Sequence, residues 1–309
     1  MNARIVFMGT PEIGAKILKG LIDNNYNVVG VVTQPDKPVG RKGIITSCPT
    51  KNVAINHNIP VYQPLKIKDD FDFLYDIKPD VIITCAYGQI VPQALLDIPS
   101  IGSINVHGSL LPKYRGASPI QQALIHGDKI TGATIMEMID KMDAGEMYDK
   151  EEVVINDDDN YTSLYEKVGD AGLVALLRML PKYINKMIIG EKQDENQVTF
   201  CKKISKEEEH LSLDYTKEEF INMVKGLSEV PGGYLLYNDL VFKIFDARIE
   251  NDIVSHQIGE IVEANKKRLL LQLKNGQIAL LKVQKQGKSK MDYKSFINGE
   301  NKILGSILK

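Results

Sequence analysis

The sequence predicts an α/β fold with a mainly parallel sheet, followed by a smaller strand-rich domain. Two observations carry this. In the first half, short β-branched runs alternate with helical patterns, as βαβ units do. Beyond about residue 206 the pattern changes to closely spaced strands. A polar stretch, Gly190-Glu191-Lys192-Gln193-Asp194-Glu195-Asn196, separates the two and reads as a linker. With 309 residues there is room for about two domains, drawn as 1–189, a linker at 190–206, and 207–309.

In order along the chain, Ile5 to Met8 is a strand, Glu12 to Asn24 a helix and Val28 to Thr33 a second strand. Gly9 allows a tight strand-to-helix turn, with Thr10 as N-cap and Pro11 at the first helical position. Neither GxGxxG nor a Walker A pattern surrounds Gly9 and Gly14, which excludes a nucleotide loop there. Thr33 to Gly43 is a long loop with two Pro, two Gly and three cations, Lys37, Arg41 and Lys42. Val81 to Thr84 is a buried strand. The segment after it, Ala86-Tyr87-Gly88-Gln89-Ile90, therefore lies at a carboxyl end, where open α/β sheets bind ligands. Tyr87 reads first as a packing aromatic.

Val91 to Leu96 has a helical pattern, Ala133 to Met138 and Glu152 to Ile155 read as strands, and a helix runs from about Ser163 to Ile189. In the second half, Thr216 caps a helix reaching Gly226, with Glu218 and Glu219 in its first turn. Five strands follow: Tyr234 to Tyr237, Leu240 to Ile249, Ile258 to Glu263, Arg268 to Leu273 and Gln277 to Val283. Asn275-Gly276 marks a hairpin between the last two. Five strands suit a small barrel.

Composition narrows the function classes. Charged residues at 25%, hydrophobic residues at 43% and a net charge of −2 describe an ordinary soluble protein. Cys48, Cys85 and Cys201 are far apart, which speaks against a disulfide framework or a metal site and fits a reducing cytoplasm. No apolar run is long enough to span a bilayer, so no membrane role is expected. From Asn265 to Lys294, nine basic residues face one acid, Asp292. That bias is either a phosphate-facing surface or charge spread over all faces.

The chemistry concentrates in Ser103-Ile104-Asn105-Val106-His107-Gly108-Ser109-Leu110-Leu111-Pro112-Lys113-Tyr114-Arg115-Gly116-Ala117-Ser118-Pro119. Alternation along a strand puts Asn105 and His107 on one face, where the chain leaves the sheet. An amide can hydrogen-bond a carbonyl oxygen without changing charge, and an imidazole can donate, accept or carry a proton near neutrality. The pair suits carbonyl chemistry. These seventeen residues resemble the signature of the 10-formyltetrahydrofolate-dependent formyltransferases. On that resemblance Asn105 and His107 are the paired catalytic positions, and Ser109, Leu110, Leu111 and Pro112 form the folate-contacting loop. Asp143, in Asp140-Lys141-Met142-Asp143-Ala144-Gly145, matches a third catalytic element.

The resemblance implies a Rossmann-like catalytic domain, an OB-like C-terminal barrel and 10-formyltetrahydrofolate as co-substrate, with no metal. Tyr87, Gly88, Gln89 and Ile90 would help hold the pterin, mostly through main-chain groups. Within the family, the loop at Lys37 to Lys42 resembles the insertion of the methionyl-tRNA formyltransferases, with Arg41 as best tRNA contact and Lys37 and Lys42 in support. An initiator methionyl-tRNA partner and a monomeric, cytoplasmic enzyme follow. The trio is equally compatible with a formyltransferase acting on a nucleotide sugar or small amine, or with a formyl-folate hydrolase. A non-catalytic RNA-binding protein fits less well. Tyr114, where many relatives have Trp, and Val230-Pro231-Gly232-Gly233 depart from the family pattern.

Overall fold

The structure is a computed structural model and describes residues 3–39, 43–300 and 302–309. It divides into two compact units, one built from the chain up to Pro119 with Thr131–Val154 and Tyr165–Cys201, the other from Ile120–Ile130, Ile155–Leu164 and Lys202–Lys309.

The first unit has strands β1 (Ile5–Gly9), β2 (Val28–Val32), β3 (Lys37–Val39), β4 (Ile44–Thr46), β5 (Val61–Tyr62), β6 (Val81–Cys85), β7 (Gly102–His107), β8 (Arg115–Gly116), β9 (Ile130–Glu137), β10 (Met147–Val154) and β11 (Phe200–Cys201). Seven form one sheet in the order β10-β9-β7-β6-β1-β2-β5. β7, β6, β1, β2 and β5 are parallel neighbours, whereas β9 runs antiparallel to β7. The central strands β1 and β6 are buried at every position, which explains their continuous apolar runs. This is the mainly parallel, Rossmann-like sheet expected, and it brings the ends of β1, β6 and β7 to one edge.

Helix α1 (Glu12–Asp23) buries Ile13, Ile17, Leu18 and Leu21 along one stripe. Its start departs from expectation. Pro11 is the N-cap and the cap makes no side-chain bond, while Thr10 Oγ1 instead donates to the Tyr87 carbonyl at 3.0 Å. The requirement for Gly9 is closeness rather than a turn: a Cβ there would lie 2.9 Å from the Cys85 carbonyl oxygen. Shorter helices α2 (Pro49–Asn56), α3 (Phe73–Ile77), α4 (Gln93–Leu96) and α5 (Pro119–Ile125) precede α6 (Tyr161–Ile184). α6 stops before the expected Ile189, because Lys186 turns left-handed, φ 55°, and the Lys186 and Met187 N–H groups close onto the Tyr183 and Lys182 carbonyls at 3.0 and 2.8 Å.

In the second unit, α7 (Lys217–Leu227) starts with a complete capping box between Thr216 and Glu219. Strands β12 (Gly233–Tyr237), β13 (Leu240–Asn251), β14 (Ile261–Ala264), β15 (Leu269–Leu273), β16 (Gly276–Lys285) and β17 (Met291–Asp292) form an antiparallel sheet, followed by α8 (Tyr293–Gly299). Phe220, Phe242, Leu271 and Leu280 lie in its core. The β15–β16 hairpin exists, but Leu273 pairs with Gly276, so Lys274 and Asn275 are the loop residues. Gly276 is needed because a Cβ there would overlap the Asn251 carbonyl oxygen. The last residues reach both edges of this sheet. Leu236 and Lys309 exchange main-chain bonds at 2.6 and 3.0 Å, and Leu308 N–H donates to the Gly259 carbonyl at 2.8 Å. Among the described residues, no helix is long and apolar enough to cross a membrane.

Candidate active site

Thr84 on β6 sits opposite Asn105 on β7, and its hydroxyl donates to Asn105 Oδ1 at 2.7 Å. In this arrangement the amide oxygen faces Thr84 and the NH2 end faces away from it. The NH2 end of this half-buried side chain is left with no acceptor among the described residues.

Two residues on, His107 is 5% exposed, with Nε2 at 3.0 Å from the Tyr114 carbonyl oxygen. A carbonyl oxygen can only accept, so Nε2 carries a hydrogen and any exchanging proton sits on Nδ1. Asp143 Oδ1 lies 3.7 Å from Nδ1. This exceeds a hydrogen bond, and it leaves the carboxylate facing that ring nitrogen. The other carboxylate oxygen, Oδ2, accepts the Gly116 N–H at 2.8 Å. Asp143 has left-handed backbone, φ 49°, which Asp tolerates better than most residues. The three residues singled out from sequence thus fall on one edge, with His107 and Asp143 in direct apposition.

The loop after β7 is fastened to its neighbours. Thr134 on β9 donates to the Ser109 carbonyl at 2.7 Å and accepts the Leu111 N–H at 3.1 Å. Lys150 Nζ donates to the Leu111 carbonyl at 2.7 Å. Ser109 is fully buried, its hydroxyl donating to the Lys113 carbonyl at 2.6 Å, and Leu111 is buried, while Leu110 and Pro112 are half-buried. Ser109 and Leu111 therefore shape the loop, and Leu110 and Pro112 keep surface available.

After β6, the Tyr87 ring packs into the core with an unpartnered hydroxyl, and burial pushes that hydroxyl up to about 12. Its main chain makes the polar contacts instead, the carbonyl accepting from Thr10 Oγ1 and from Gln34 Nε2 at 3.2 Å. Gly88 is exposed with φ 89°, and Ile90 is 89% exposed. Gln89 bridges away from them: its Oε1 accepts the Ile67 N–H at 2.8 Å and its Nε2 donates to the Leu65 carbonyl at 3.2 Å. Lys37 is exposed on β3, with no acid at ion-pair distance among the described residues. Arg41 and Lys42 lie outside the described residues.

Residues that the sequence did not flag complete the site. Arg115 is fully buried; its Nε donates to Gln193 Oε1 at 3.0 Å and its Nη2 to Glu195 Oε1 at 2.9 Å. Hydrogen bonding to Arg115 holds the Glu195 carboxyl below its usual range. Gln193 Nε2 donates to the carbonyls of Asp143 and Gly145, both at 2.9 Å. The only sequence signal was a single Gln in a polar stretch.

In the second unit, folding divides the basic window in two. Arg268 pairs with Glu250 and Glu263, Lys282 and Lys290 with Glu229, and Lys285 with Glu300. All four acids lie outside the window. Lys266, Lys267, Lys274, Lys288 and Lys294 have no acid at ion-pair distance among the described residues.

The formyl transferase family model matches residues 3–180, and the formyl transferase C-terminal domain model matches residues 203–301. Curated relatives named methionyl-tRNA formyltransferase include those of Lactobacillus gasseri, 43% identical over 96% of this chain and 95% of the relative, and Malacoplasma penetrans, 40% identical over 100% and 97%. In fold, the chain resembles HypX from Aquifex aeolicus in complex with tetrahydrofolic acid, with a TM-score of 0.68 and 15% identity over 98% of this chain and 48% of that one. It also resembles an N-formyltransferase from Helicobacter canadensis in complex with folinic acid and dTDP-3-aminofucose, at 0.69 and 19%, covering 92% and 100%. Because the likeness runs through both units at such identity, the chain belongs to the formyl transferase family.

Proposed function

We propose that this protein transfers the formyl group of 10-formyltetrahydrofolate to the α-amine of initiator methionyl-tRNA, giving N-formylmethionyl-tRNA for translation initiation. The full-length likeness to relatives of that name supports the substrates. The orientation of Asn105, with its NH2 end unclaimed, carries the chemistry. The neutral amine attacks the formyl carbon, a nitrogen–carbon bond forms, the bond to the folate nitrogen breaks, and one proton passes from the amine to that nitrogen. Asn105 donates to the formyl oxygen as negative charge gathers on it. His107, its Nε2 engaged by Tyr114, works through Nδ1, and Asp143 stabilises the ring when it holds the proton.

Folate suits the surroundings: Ala86 and Gly88 are exposed with left-handed backbone, φ 50° and 89°, beside a partly exposed Leu110 and Pro112 in the neighbouring loop. In this reading Gly88, Gln89, Ile90 and the Tyr87 main chain hold the pterin, and Lys37, Arg41 and Lys42 meet the acceptor end of the tRNA. The second unit takes tRNA phosphates through its unpaired lysines. Its sheet, with both edges hydrogen-bonded to the last residues, is read as an OB-like barrel. The catalytic part is taken as residues 1–189, joined by 190–206 to residues 207–309, and the enzyme as a cytoplasmic monomer.

The test supplies labelled 10-formyltetrahydrofolate with initiator Met-tRNA, elongator Met-tRNA, free methionine or a dTDP-amino sugar. Formylation of initiator Met-tRNA well above the others is expected. Preference for the amino sugar, or formate release indifferent to any acceptor, would overturn the proposal.

A further inference from the structure

We infer that Gln193 is a positioning residue for Asp143, with Arg115 and Glu195 as its supports. The inference rests on the proposed role of Asp143 opposite His107. Gln193 is 9% exposed and makes three polar contacts: it accepts from Arg115 Nε and donates to two carbonyls of the turn that carries Asp143. The Arg115 bond settles which end of the amide faces the turn, because a guanidinium can only donate. The Gln193 oxygen must meet Arg115, and its NH2 must meet the Asp143 and Gly145 carbonyls. Asp143 itself is held by its side chain to Gly116 N–H, and within the turn Ala144 N–H donates to the Lys141 carbonyl at 3.3 Å, so Gln193 supplies the donors to the Asp143 and Gly145 carbonyls. Arg115 is anchored in turn by Glu195, and its own main-chain N–H donates to the Thr199 carbonyl at 2.9 Å. Released from Gln193, the left-handed turn relaxes and the 3.7 Å apposition of Asp143 to His107 Nδ1 is lost.

Gln193→Glu is the sharp test. A carboxylate still accepts from Arg115, but it cannot donate to the two carbonyls and repels them. We expect kcat for Met-tRNA formylation to fall about 10- to 100-fold, as small misplacements at a reacting centre do. KM for both substrates should stay within about twofold, since Gln193 is assigned to the Asp143 turn and to neither substrate. Because Glu195 is 62% exposed, Glu195→Gln is tolerated by the fold and should lower kcat several-fold in the same KM-silent manner. A second readout does not need activity. With histidine-selective 15N labelling, the His107 ring resonances of both variants should move toward their positions in Asp143→Asn. Wild-type kcat together with unmoved His107 resonances in a folded Gln193→Glu, or in Glu195→Gln if Gln193→Glu does not fold, would overturn the inference. Loss of formylation in the wild type itself would instead refute the proposed function, and the ring resonances would still decide the positioning role.

Discussion

Replacing Asn105 by Ala removes one neutral donor whose amide oxygen is hydrogen-bonded by Thr84. The loss of a comparable donor to a developing oxyanion costs about 2.7–4 kcal/mol, or about 100- to 1,000-fold in kcat. Substrate binding should change little, because the donor strengthens its bond as the transition state forms. Thr84→Val provides the internal calibration. The Thr84 bond is worth about 0.5–1.5 kcal/mol, and without it the two amide orientations become comparable. About half the molecules then present the donor, so kcat should fall only about twofold. In the double variant Thr84→Val adds nothing to Asn105→Ala, since no amide remains to orient. Asn105→Asp, equal in size but unable to donate at neutral pH, should be at least as slow as Asn105→Ala. Single-turnover formylation separates chemistry from binding. If purified, folded Asn105→Ala keeps kcat within about threefold of wild type, a loss far below that of an oxyanion donor, Asn105 does not stabilise the reacting oxygen.

Glu229, held by Lys282 and Lys290, has its carboxyl lowered from the ordinary 4.5 to about 2. Its stabilisation is therefore full above pH 4.5 and lost as pH falls toward 2, so the melting-temperature gap between wild type and Glu229→Gln should shrink across that window. An unchanged gap would show the pair contributes nothing, as exposed pairs often do. Gly276→Ala, driven against the Asn251 carbonyl oxygen with φ 153°, should destabilise by about 2–3 kcal/mol in urea melts. Gly287→Ala, with φ 78° and nothing within 4 Å, should cost only about 1 kcal/mol. Equal costs would deny the close approach at Gly276. Neutralising Lys266, Lys267, Lys274, Lys288 and Lys294 should flatten the salt dependence of tRNA binding by up to about 0.7–0.9 for each phosphate left without its cation. Neutralising the paired Lys282, Lys285 and Lys290 should flatten it less, and the reverse order would reject the unpaired set as the RNA surface.

Much of the fold was legible because its main signals are periodic. The run Ile5 to Met8 and the run Val81 to Thr84 are apolar throughout, and the structure buries both on two faces. The capping box at Thr216 was legible because it joins residues three apart. The failures are at positions where a distant group decides. Thr10 has the chemistry of a cap, but its oxygen accepts the Gln34 N–H, 24 residues away, and its hydroxyl donates to the Tyr87 carbonyl, 77 residues away. Asn275-Gly276 marked the hairpin, but its register, with Leu273 opposite Gly276 and the Asn251 carbonyl where a Cβ at 276 would lie, depends on a distant strand. The basic window left two readings open for the same reason. A count along the chain cannot see Glu229, Glu250 or Glu300 arriving from a turn, a strand and a helix end elsewhere in the chain.

The same distinction runs through the site. Asn105 and His107 share a face of one strand, so alternation alone placed them together, and Asp143 was placed by resemblance. Gln193 is 50 residues from Asp143 and 78 from Arg115, and no local pattern links them. Yet the choice of side chain there follows from physical chemistry once the neighbours are known. The position requires one acceptor for a guanidinium and two donors for carbonyls, with no net charge, and only Gln and the shorter Asn offer that set. A carboxylate at 193 would satisfy Arg115 and repel the turn. An Arg115 that reached Asp143 directly would pair with the carboxylate that faces His107. The neutral amide therefore transmits the rigidity of the buried Arg115, itself held by the exposed Glu195, to the turn without transmitting its charge, and the Asp143 carboxylate keeps its field for the imidazole 3.7 Å away.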